Sequence, residues 1–154
     1  MRKTSKYKRK RDMAAKNGFS PIFRLPKTIR FGAQEDRLLK LLPHDELENF
    51  RLGLATDPSW HTITARINMG YVLAGEHFPD ERVRMEACLA HLRAVHERHQ
   101  KTGTWGMTGE EFHTIGDGLN YCDEMQNQCT RRELDDALSA VYAVSELKQK
   151  GIQP

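Results

Sequence analysis

Cys88, His91, His96 and His99 fall within the twelve residues CLAHLRAVHERH. At helical spacing the four lie within an arc of roughly 140°. A divalent metal asks for that kind of convergence from imidazole and thiolate ligands. His113 and Cys122, further along the chain, could complete the set. The motif geometry is otherwise missing. There is no H-E-x-x-H, because HERH puts two histidines at i and i+3, and there is no C-x-x-C. The plainer reading leaves His91 and His96 in solvent beside the apolar stripe and makes Cys88 and Cys122 small core residues. The sequence therefore assigns no metal ligands and no cofactor. His113 and Asp117 are an i,i+4 pair that could orient a base, yet no nucleophile stands beside them, and such pairs are common on helix surfaces. Gly116 and Gly118 do not follow a strand, so they are no phosphate-cradling loop. Each costs about 1 kcal/mol in a helix relative to Ala, and close helix–helix approach is the expected reason for them. A metal-dependent enzyme using the His91–His99 region is the least favoured reading, and the expectation is a protein that is not an enzyme.

Charge gives a stronger signal. The chain opens MRKTSKYKRKR, with Arg2, Lys3, Lys6, Lys8, Arg9, Lys10 and Arg11 around Tyr7. Residues 1–30 hold eleven basic groups and one acid, a charge of +10; the whole chain is +3, so residues 31–154 carry −7. A basic arm precedes an acidic body. Lys/Arg runs with an interleaved aromatic suit RNA or DNA backbone through counterion release. They equally suit an acidic protein surface. Arg2, Lys3, Lys6, Tyr7, Lys8, Arg9, Lys10 and Arg11 are the candidate binding residues, and RNA or DNA through residues 1–30 is the candidate nucleic-acid contact.

A helix-turn-helix over PHDELENFRLGLATDPSWHTITARIN would offer Ser59, His61, Thr62, Arg66 and Asn68 to base edges. Its connector, GLATD, is long for that motif, and the acidic body would repel a duplex.

The elements that must position these residues are helical. Residues 1–18 have almost nothing to bury and read as disordered. Residues 19–33 are apolar at Phe19, Ile22, Phe23, Leu25, Ile29 and Phe31, but Pro21 and Pro26 break a helix. This segment reads as an extended strap, laid on the body's own edge or docked on another chain. EDRLLKLL reads as a short helix ending before Pro43, followed by a second short one with Leu47, Phe50 and Leu54 on one face. Asp57 and Pro58 begin a helix with the stripe Trp60, Ile63, Ile67, Tyr71 and Ala74, all expected in the core. A long helix follows with Met85, Cys88, Leu89, Leu92, Val95 and His99 on its apolar face. Thr108 with Glu111 and Thr130 with Glu133 are capping boxes. They open helices that bury Phe112, Ile115, Leu119, Cys122 and Met125, then Leu134, Ala137, Leu138, Val141 and Val144. No strand-like alternation competes. The fold class is all-α: a bundle of four main helices plus one or two short ones, with residues 1–33 as arm and strap and 34–150 as the helical domain.

Three cysteines in no repeating pattern argue against a disulfide framework and for a reduced, cytoplasmic protein. No apolar run approaches the ~18 residues of a membrane span.

RKTSKYKRK at 2–10, LPHDELENFRLG at 42–53 and WHTITARINMGYVLAGEHF at 60–78 together resemble small accessory proteins encoded by phages and prophages. Those pair a basic arm containing KYK with a helical body. The resemblance brings no catalytic residues. It implies an accessory product, in the host cytoplasm, that binds a host protein or nucleoprotein complex, for example as an inhibitor of host defence. The sequence leaves the target and the oligomeric state open.

Overall fold

The computed structural model describes the backbone of residues 33–149, with side chains for 37–144 and 146. Five α-helices follow in order: α1 (Ala33–Arg51), α2 (Asp57–His77), α3 (Arg82–Thr102), α4 (Gly109–Gln128) and α5 (Arg131–Gln149). A 3-10 turn, Pro79–Glu81, links α2 to α3, and the described residues contain no strand. The all-α bundle is as the periodicity predicts. Helix α2 is its axis and packs against all four others, while α3 also packs on α4 and α1 on α4.

The first helix differs from the expectation. Residues 33–51 form one helix through Pro43, where two short helices were predicted. An interior proline removes the bond to the carbonyl four residues back and typically costs about 3 kcal/mol. Burial offsets this cost, since Pro43 is buried on the inner face together with Leu47 and Phe50. The helix ends in a Schellman arrangement: Leu54 N–H donates to the Asn49 carbonyl and Gly53 N–H to that of Phe50, with Gly53 at φ +72°.

The other ends follow local chemistry. Thr56, one residue before the predicted cap, is the N-cap of α2, with Ser59 Oγ accepting from its backbone N–H. Gly103, at φ +72°, stops α3. Both predicted capping boxes form. Glu111 accepts from Thr108 N–H while Thr108 Oγ1 accepts from Glu111 N–H, and Glu133 and Thr130 repeat the exchange.

The core is built from the predicted stripes. Ile63, Ile67, Met85, Val95, Ile115 and Leu119 are wholly buried. Trp60, Tyr71, Phe112, Leu138 and Val141 are only partly buried against it, and Leu54 and Val144 are exposed. Two glycines permit the tightest crossings. A Cβ on Gly70 would collide with Cys122 Sγ and come within 2.9 Å of Met85 Sδ. One on Gly118 would collide with Cys88 Sγ and come within 3.3 Å of Ile67 Cδ1. The glycine pair read as a sign of close approach thus serves that purpose at Gly118.

Candidate functional site

The residues that could do chemistry are used to join helices. Cys88 and Cys122 are buried; the Cys88 thiol lies 3.3 Å from the Thr114 carbonyl oxygen and the Cys122 thiol 3.7 Å from Met85 Sδ. Burial pushes Cys88 up to about 11, with Asp117 adding to it, and Cys122 up to about 12. Neither thiol is a ready thiolate at neutral pH. His96 stacks on Trp60 with centroids 4.6 Å apart, and His99 lies flat on Trp105 at 3.8 Å and 7°. His91 is half-buried and His113 is exposed on α4. The four residues of the α3 arc therefore turn to different tasks. Among the described residues, no group of three or more His, Cys, Asp or Glu is placed to hold a metal ion.

The two tryptophans anchor the loop after α3. Trp60 Nε1 donates to the Leu92 carbonyl at 3.1 Å, and Trp105 Nε1 donates to Asp57 Oδ1 at 2.8 Å. The rings lie 6.0 Å apart, and Phe50 meets Trp105 edge-on. Arg98 fixes the same loop by donating to the Gly106 carbonyl and, through two nitrogens, to both carboxylate oxygens of Glu111. Burial raises Glu111, but Arg98 and the Thr108 amide outweigh it and hold the carboxyl below its usual range.

A second polar network ties α1, α2 and α4. Arg66 Nη2 donates to Asp123 Oδ1 and His44 Nε2 meets Asp123 Oδ2, both at 2.9 Å. Lys40 reaches Asn127 Oδ1. Arg66 and Ser59 are buried, so two of the five side chains a helix-turn-helix would present to bases lie inside the bundle. Helix α2, the supposed recognition helix, is the central helix.

Among the described residues, α1 and the residue that follows it carry four of the exposed large apolar side chains. Leu38, Leu41 and Leu42 are 60%, 46% and 49% exposed, and Leu52 at the helix end is 53% exposed. At 100° per residue Leu38, Leu41, Asp45 and Leu52 share one line, about opposite Pro43, Leu47 and Phe50. Surface helices ordinarily show polar residues there. This row was missed in the sequence because Leu47 and Phe50 were read for their own stripe. The signal that finds it is phase: the outer leucines fall half a turn from the inner ones. The arm residues Arg2, Lys3, Lys6, Tyr7, Lys8, Arg9, Lys10 and Arg11, and all of the strap before Ala33, lie outside the described residues. No described helix is long and apolar enough to cross a membrane.

No family model, curated protein or solved structure matches the chain.

Proposed function

We propose that this chain is a non-catalytic binding protein of phage or other mobile-element origin. It engages a host protein or nucleoprotein complex, and inhibition of a host defence machine is the role this reading favours. The observation that carries the binding role is the leucine row on α1, which joins in sequence to a +10 segment. An apolar patch flanked by charge is the make-up of a protein interface. The accessory origin rests on the resemblance over residues 2–10 and 42–78. Cys88, Cys122, Arg66, Arg98 and Glu111 serve contacts inside the bundle, which fits a binding role.

Affinity capture from bacterial lysate tests this, using the intact chain, a deletion of residues 1–11 and Leu41→Asp, each with and without nuclease. The expected result is one host protein retained after nuclease and lost with either variant. Capture that nuclease abolishes would favour the other reading, a nucleic-acid-binding regulator acting through the arm.

A further inference from the structure

We infer that the leucine row of α1 is self-complementary: two copies of this chain pair there, α1 against α1 and antiparallel, about a two-fold axis beside Leu41. The inference shares that surface with the proposed function and takes nothing else from it.

The apolar part of the surface is compact. Leu38, Leu41 and Leu42 are 60%, 46% and 49% exposed. They lie within about 6 Å of one another along the helix axis. Contiguous apolar patches on a soluble protein mark contact surfaces. A two-fold pair uses the same patch twice, so three leucines become six around the axis.

Charge decides what covers them. Arg37 lies four residues before Leu41 and Asp45 four residues after it, and both are exposed. At 1.5 Å per residue each stands about 6 Å from Leu41, in opposite directions along the helix. A copy turned about Leu41 therefore brings its Arg37 level with Asp45 and its Asp45 level with Arg37. Two reciprocal ion pairs then frame the leucines and fix the register. Asp45 is on the row itself, about 20° around the helix from Leu38. A purely apolar cover would leave that carboxylate buried and unpaired. The neighbouring charges Glu48 and Lys40 are already engaged, by Arg51 and Asn127.

The same charges set the direction. A parallel pair would place Asp45 against Asp45 and Arg37 against Arg37, and both +10 segments would start from one end. In the antiparallel pair the two α1 N-termini, at Ala33, stand about 24 Å apart along the axis. That exceeds the Debye length of about 8 Å at physiological salt. Six leucines make a small interface, at the transient end of the size range. The pair therefore forms at high protein concentration, and the dilute chain is single.

Sedimentation equilibrium on the purified full-length chain, over a hundredfold range of concentration, tests this. The weight-average mass should climb from that of one chain toward that of two and no further. Leu41→Asp should abolish the climb. Arg37→Asp and Asp45→Arg, each alone, should weaken association tenfold or more. The double variant Arg37→Asp/Asp45→Arg should restore it to within a few-fold of the parent. Both charge positions are exposed, so these variants keep the test sound if Leu41→Asp disturbs the fold, and circular dichroism checks the helices of each. A chain that stays single over the whole range overturns the inference. So does association that survives Leu41→Asp, which puts the contact elsewhere, or association that the double swap fails to restore, which removes the antiparallel register. No partner is present, so a failed capture leaves this inference standing, and a chain that stays single leaves the binding reading standing.

Discussion

The α2–α3–α4 interior and the outer face of α1 are both apolar, and they are apolar in opposite ways. In the interior every surface has a counter-surface. Gly70 and Gly118 give up their side chains so that Cys122, Met85 and Cys88 can fill the crossing. On α1 and just past its end, Leu38, Leu41, Leu42 and Leu52 keep about half of their surface in solvent. Interiors pack as densely as organic crystals, so a fitted contact is sensitive to a single methyl group. A face without a counter-surface has no such sensitivity in the free body. The contrast separates residues that make the fold from residues that the fold presents.

The sharpest way to break the comparison is to add one methyl to the interior. Gly118→Ala gains up to about 1 kcal/mol of helix propensity. Overpacking against Cys88 Sγ outweighs it, and a net loss of about 2–3 kcal/mol is expected from urea denaturation. Adding Cys88→Ala removes the colliding sulfur. The double variant should be more stable than the sum of the two single losses, and simple additivity would refute the account of the crossing.

A smaller loss is expected where a buried charge loses its partner. Arg98→Met leaves Glu111, 5% exposed, without its guanidinium and frees the Trp105 loop from Arg98. The cost should be about 1–2 kcal/mol. Because Glu111 is held below its usual range in the parent, its share of stability is present above the ordinary carboxyl range and is lost as pH falls through its folded value. The variant should lack that acid-side loss.

The helices and caps were legible because their causes are local. The stripe Met85, Cys88, Leu92, Val95 and the box Thr108–Glu111 are written within a few residues of one another. The bonds that join helices are written nowhere locally. Arg66 and Asp123 stand 57 residues apart, and on the page Arg66 is one more polar residue of α2. Pro43 misled for a related reason. Its local cost is visible in the sequence, whereas the burial that offsets it depends on the neighbours of α1. Trp60 was read as core from its spacing, but its indole needs an acceptor and finds the Leu92 carbonyl at the edge of the core. His96 and His99 fell on a metal-like arc by spacing alone. Two tryptophans from elsewhere in the chain, Trp60 and Trp105, claim them instead.

Between interior and surface lies Asp136 on α5. Burial raises its carboxyl to about 6; Arg132 opposes this, while Glu76, Asp135 and Glu133 reinforce it. Its Oδ1 is buried with no hydrogen-bond partner among the described residues. An acid whose folded value lies above its unfolded one is favoured in its protonated form by folding. Stability is therefore greatest below the ordinary carboxyl range and falls as pH rises from about 4 to about 6. With its part-exposed position allowed for, the change should be on the order of 1 kcal/mol. Asp136→Asn should flatten that stretch of the stability–pH curve, read from thermal melts at constant ionic strength.

The smallest effect on the fold should come from the outer face of α1, where the largest effect on binding is expected. Leu41 lies on the side of the helix away from Leu47 and Phe50, so Leu41→Asp leaves no cavity and buries no charge in the bundle. Surface changes of that kind usually stay within about 0.5 kcal/mol. Whatever the leucine row docks, the new carboxylate must be desolvated against an apolar surface, and binding to a captured partner should fall tenfold or more. Calorimetry on the free protein and titration with the partner separate the two quantities. A Leu41→Asp chain that unfolds several degrees early would place Leu41 in the core after all and erase the distinction between the two faces. One that keeps both its stability and its affinity would move the docking surface off α1.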